Sequence, residues 1–162
     1  MPEGPARARK SKSLYTQAQR TRRDQSGWTT VQAVLAPLQF FAFLVSLGLV
    51  LYFVATGEGY GLATASILVK TALLFTIMVT GAIWEKVVFG QYLLAPAFFW
   101  EDVVSFVVIA LHAAYVVALM TGLLSARAEM ALALIAYLVY LINAGQFLLK
   151  LRAARLDAEA HA

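Results

Sequence analysis

Residues 31–56 read VQAVLAPLQFFAFLVSLGLVLYFVAT, twenty-six consecutive positions without an acidic or basic side chain. At about 1.5 Å of rise per helical residue, such a run exceeds the ~30 Å hydrocarbon core of a bilayer. It predicts a transmembrane helix, with Trp28 just before it at the interfacial position that amphipathic rings favour. Working outward, residues 57–61 (GEGYG) form a glycine-rich reversal. A second span follows at 62–88, whose one charge before its far end is Lys70. Residues 89–100 hold Gly90, Gln91, Pro96 and several aromatics and read as an interfacial loop. Two more spans are expected at 101–122 and 129–150. The predicted fold is therefore all-α, a polytopic membrane protein built as a four-transmembrane-helix bundle. A basic arm (1–27) precedes the membrane domain (28–152), and a polar tail (153–162) follows it.

Composition agrees with this reading. Of 162 residues, 61% are hydrophobic and 14% charged, and the mean hydropathy is +0.73, an apolar content above that of ordinary soluble domains. The absence of cysteine excludes disulfides, thiolate metal sites, iron–sulfur clusters and thiol nucleophiles. The net charge of +4 does not point to nucleic acid, because the basic residues gather at the chain ends with few aromatics among them. Seven lie in the arm (Arg7, Arg9, Lys10, Lys12, Arg20, Arg22, Arg23), Lys86 lies in the middle loop, and Lys150, Arg152 and Arg155 follow the last span. Arg127 stands alone on the other side. The positive-inside rule then places the N and C termini in the cytoplasm. The arm has no cleavable signal pattern and reads as a topology determinant that touches anionic lipid. Neither an internal repeat nor the inverted symmetry of many transporters is visible.

A polar side chain inside hydrocarbon is costly and asks for a reason. Gln39 lies about three turns into the first span, and Glu85-Lys86 ends the second where Glu101-Asp102 begins the third. At 100° per residue, Glu101, Ser105 and His112 share one face of the third helix, with His112 near mid-membrane. Tyr137, Tyr140, Asn143 and Gln146 recur every three residues on the fourth helix and form a stripe able to face the first. Lys70 and Glu85 can share a face of the second. Three helices are thus expected to line a polar cavity open toward the cytoplasm.

Each feature also has a plain structural reading. His112 serves either an interhelical hydrogen bond or acid, base or ligand chemistry. Glu101 and Asp102 are equally suited to capping a helix N-terminus. Glu85-Lys86 fits an ordinary interface, Lys70 a snorkelling or bundle-paired amine, and the aromatics an interfacial belt. What favours chemistry is that separate segments bring acids, a base and amides to one region.

Residues 80–90 (TGAIWEKVVFG) and 95–102 (APAFFWED) resemble the 3-vinyl (bacterio)chlorophyllide hydratases of bacteriochlorophyll biosynthesis. The similarity extends from Tyr15 through 34–40 (VLAPLQF) and 63–67 (ATASI) to 146–152 (QFLLKLR). The resemblance implies a lyase that adds water to the ring vinyl group, giving a 1-hydroxyethyl group, without a cofactor of its own; the magnesium belongs to the substrate. It also implies an inner-membrane, multi-pass protein with its active site toward the cytoplasm. Partners would be a chlorophyllide-type tetrapyrrole, membrane lipid and a possible second copy of the chain, since four short helices barely enclose such a ring.

Such a reaction needs a proton donor, a base for water and negative charge near the developing cation. Glu101 is the first choice for the acid and Glu85 the second, with Asp102 beside them. His112 takes either the proton of water or the substrate's magnesium. Trp84, Trp100, Phe98 and Phe99 would wall the ring. Lys86 or an arm arginine would meet its propionate, and Lys70, Gln39, Asn143 and Gln146 would complete the binding surface. A noncatalytic pigment-binding or assembly protein, and a small transporter using Lys70 and Glu85, are the competing readings.

Overall fold

The computed structural model describes residues 13–159. Arg7, Arg9, Lys10 and Lys12 of the basic arm lie outside them. The described chain forms five helices: α1 (Gln17–Gln25), α2 (Gly27–Thr56), α3 (Tyr60–Phe89), α4 (Phe99–Thr121) and α5 (Ala126–Glu159). The last four are long and apolar enough to cross a membrane. Every expected span is present, and the helices overrun the charge-free windows because caps, not hydropathy, decide where a helix ends. Ser26 caps α2 five residues before the window at 31, its hydroxyl accepting from the Trp28 N–H. Gly57 and Gly90, at φ 79° and 88°, close α2 and α3 in the left-handed conformation that costs glycine least. α4 runs Phe99–Thr121 rather than 101–122, and Gly122 caps it.

Two features of the ends add to the sequence reading. The arm contains an ordered helix, α1, opened by a Thr16–Gln19 capping box. The polar tail is not separate from the last span, since α5 continues through it to Glu159. Charged residues favour helix as well as apolar ones do, so the polar run ends the hydropathy without ending the helix.

The helices form two antiparallel hairpins, α2 with α3 and α4 with α5, each paired closely along its length and touching the other hairpin much less. In lipid, helix pairing depends on close packing and polar ties rather than on water exclusion. Within the first hairpin Gln32 bonds Thr80 at 2.7 Å, Trp84 bonds Thr29 at 2.9 Å, and the Ser46 and Ser66 hydroxyls meet at 2.8 Å. Buried Ala63, Ala133 and Ala136 keep side chains from holding the helices apart. Tyr137 reaches across the seam to Ser46 and edges against Phe43. At the end carrying α1, Tyr15 packs with Phe89 and Phe98, to which Trp84 and Phe147 add their rings. This cluster fastens the arm, the α3–α4 loop and α5 to one another.

Candidate active site

The loop from 90 to 98 links α3 to α4 and is held by acids at both of its ends. Asp102, in the first turn of α4, accepts the Leu94 N–H at 2.7 Å. Glu85, in the last turns of α3, accepts the Ala95 N–H at 3.2 Å. Leu94 is the one non-glycine residue with positive φ among the described residues, at 59°. That turn aims two successive N–H groups at the carboxyls, as in anion-binding backbone nests. The Glu85 and Asp102 carboxyls are thus brought to adjacent N–H groups of one turn. Both are buried.

Glu101, the neighbour of this pair, is held differently. Lys150 of α5 lies 3.2 Å from its Oε1 and also donates to the Ala97 carbonyl at 2.7 Å. The Glu101 carbonyl receives Ser105 Oγ at 2.8 Å and Asn143 Nδ2 at 2.9 Å, while Ser105 also bonds Asn143 Oδ1 at 3.0 Å. Oε2 of Glu101 is buried with no hydrogen-bond partner among the described residues. A carboxylate in an ion pair is a proton acceptor and a fixed negative charge, not a proton donor. Of the three acids at this junction, Glu101 is the one with a lysine beside it.

A second polar group lies deeper. His112 is 1% exposed and donates through Nδ1 to the Val108 carbonyl at 2.8 Å. This bond fixes the tautomer and leaves the Nε2 lone pair without a partner among the described residues. Its ring lies 5.9 Å from that of Tyr137. Lys70, fully buried, sets its ammonium 3.7 Å above the Tyr140 ring centroid and 5.6 Å from that of Tyr137. The tyrosine and asparagine stripe of α5 does face the Ser105–His112 stripe of α4, as its spacing predicted.

The structure does not bring all these residues into one open cavity. Glu101 and His112 lie eleven positions apart on one helix, about 16 Å of rise, and belong to two separate layers. The best-formed depressions among the described residues are shallow. One of about 370 Å³ is lined by Glu101, Gln146, Leu149, Lys150 and Ala153, and one of about 330 Å³ by Phe75, Thr76, Val79 and Thr80. The expected open cavity is replaced by two closed polar layers, because the hairpins meet through interlocking tyrosines. Trp100 is 68% exposed and faces away from the bundle, so it does not wall an interior site. Trp84 and Phe98 pack into the aromatic cluster instead. Lys86 is exposed, donating to the Gly90 carbonyl at 2.8 Å and lying near Tyr92. Gln39 is buried with its Oε1 unpartnered among the described residues, and Gln146 accepts weakly from Asn143 at 3.4 Å. Sequence reasoning missed Lys150 as the partner of Glu101 and the role of Leu94, whose left-handed turn has no glycine to announce it.

Residues 15–153 match the family described as 2-vinyl bacteriochlorophyllide hydratase (BCHF). The chain belongs to that family. Relatives called 2-vinyl bacteriochlorophyllide hydratase include one from Cereibacter sphaeroides, 70% identical over 147 residues, 91% of this chain and 91% of that protein. Another, from Rhodobacter capsulatus, is 66% identical over 157 residues, 97% of this chain and 89% of that protein. No solved structure matches the chain significantly. Both polar layers and the loop between Glu85 and Asp102 fall inside the stretch that defines this 2-vinyl bacteriochlorophyllide hydratase family.

Proposed function

We propose that this chain is a hydro-lyase that adds water across the vinyl group of a (bacterio)chlorophyllide to give the 1-hydroxyethyl derivative, a step of bacteriochlorophyll biosynthesis. The positions 2 and 3 given to that vinyl group name one carbon under two tetrapyrrole numbering conventions. High identity to relatives called hydratases supports the reaction. The observation that carries a mechanism is that Asp102 and Glu85 hold the adjacent Leu94 and Ala95 N–H groups beside the ion-paired carboxylate of Glu101.

The protonated member of the Glu85–Asp102 pair gives its proton to the terminal vinyl carbon. Positive charge then develops on the carbon attached to the ring and spreads into the macrocycle, where the Glu101 carboxylate stabilises it. Water adds to that carbon and loses a proton to a carboxylate of the cluster, most directly the free Oε2 of Glu101, and the acid is restored by exchange within the cluster. Addition of H and OH consumes no electrons, so the reaction needs no redox cofactor. His112, in the deeper layer, presents Nε2 as a ligand for the magnesium of the substrate.

The charge asymmetry of the sequence supports an inner-membrane orientation with both termini and the carboxyl cluster toward the cytoplasm. A substrate that partitions into lipid reaches the cluster by parting the two loosely joined hairpins. Purified protein incubated with the vinyl pigment tests the reading: the product gains the mass of one water. A pigment carrier returns the vinyl compound unchanged, and that result would remove the enzymatic reading.

A further inference from the structure

The described lysines are not equivalent. Lys86 has the Gly90 carbonyl, and Lys150 has both Glu101 and the Ala97 carbonyl. Lys70 is the most deeply buried, and its Nζ has no hydrogen-bond acceptor among the described residues. The rings of Tyr140 and Tyr137 offer it cation–π contact, which is no substitute for a counter-ion in hydrocarbon. Among the described residues, the groups found around it are the Tyr137 and Tyr140 rings of α5 and His112 of α4, none of them an acid. Lys70 also stands at the seam where the two hairpins meet, the place a flat ligand would open.

We propose that Lys70 is the receptor for the substrate's propionate carboxylate, which enters the bundle with the pigment and supplies the missing counter-ion. The inference rests on the hydratase reading and adds an orientation to it. Vinyl and propionate sit on different pyrrole units of the ring. With the carboxylate at Lys70, the ring extends along the seam past His112 toward Glu85, Asp102 and Glu101. The axial gap from Lys70 to Glu85 along α3 is about 22 Å before the reach of both side chains is subtracted, which suits one macrocycle with its propionate arm. Burying a carboxylate and an ammonium together removes two separate penalties, so the pocket selects the free acid over an ester.

The test compares the free acid of the vinyl pigment with its methyl ester, by equilibrium binding read from pigment absorbance and by turnover. Wild-type protein is expected to bind the acid roughly a hundredfold tighter than the ester. In Lys70→Met this preference falls to within about threefold, through KM more than kcat, because the contact is made equally before and during reaction. The substitution also removes a buried amine that has no hydrogen-bond acceptor among the described residues, so the melting temperature of pigment-free protein holds or rises; a purely structural Lys70 would lower it. Equal affinity of the wild-type protein for acid and ester overturns the proposal without any variant, and so does an undiminished preference in Lys70→Met. If neither compound is hydrated, the hydratase reading fails while the binding comparison still decides the role of Lys70.

Discussion

Asp102 and Glu85 grip adjacent peptide N–H groups from opposite ends of one loop, Asp102 at Leu94 and Glu85 at Ala95. The same two carboxyls therefore fasten α3 to α4, and in the proposed mechanism they also supply the proton. Reaction requires this staple to loosen, since both groups are buried while it is closed.

Glu85→Gln separates the structural task from the chemical one. The amide oxygen still accepts from Ala95, so the loop keeps its shape. Hydration should fall by about 10²–10⁴, the usual contribution of positioned proton transfer, with pigment binding retained. Asp102→Asn should behave alike in steady-state kinetics.

Leu94 holds its left-handed turn at a cost of roughly 1–2 kcal/mol relative to a relaxed residue. Leu94→Gly should lie within about 1 kcal/mol of wild type, since relief of strain is offset by greater freedom of the unfolded chain. Leu94→Val, β-branched at a positive φ, should be less stable than the glycine variant by at least ~1 kcal/mol. Thermal unfolding in detergent would show the order.

Lys150→Met strands the Glu101 carboxylate, whose side chain is 8% exposed. The expected cost is about 1–3 kcal/mol, below that of a fully buried pair because the lysine side chain is 26% exposed. The double variant Lys150→Met with Glu101→Gln should recover most of that stability without recovering activity. Additive losses in the double-mutant cycle would mean that the pair is not coupled.

His112→Ala should bind magnesium pigment and its metal-free counterpart with equal affinity, whereas wild type favours the metal form. Equal affinities in the wild-type protein would show that Nε2 does not meet the metal.

Much of this architecture was legible because a bilayer imposes a strict length on each apolar run: 31–56 and its three counterparts marked α2 to α5 directly. Angular spacing also placed Ser105, His112, Tyr137 and Asn143 on facing stripes correctly. What the pattern lacks is contact between helices at a given depth. Periodicity gives the face of a helix but not how tightly a neighbour packs on it, so Glu101 and His112 read as lining one cavity although they lie in two closed layers. Nor did residue types reveal Leu94, because its turn is imposed by two distant carboxyls. The continuation of α5 past Arg152 was hidden for a related reason: hydropathy reports where lipid ends, not where a helix ends.

The central claim is that carboxyls at the α3–α4 junction add water to the vinyl group. Its most direct test incubates wild-type protein and Glu85→Gln with the vinyl pigment in heavy-oxygen water and weighs the product. Wild type should yield a hydroxyethyl pigment carrying one heavy oxygen, and the variant should bind the pigment but form that product at least about a hundredfold more slowly. Labelled product from Glu85→Gln at near the wild-type rate would contradict the account.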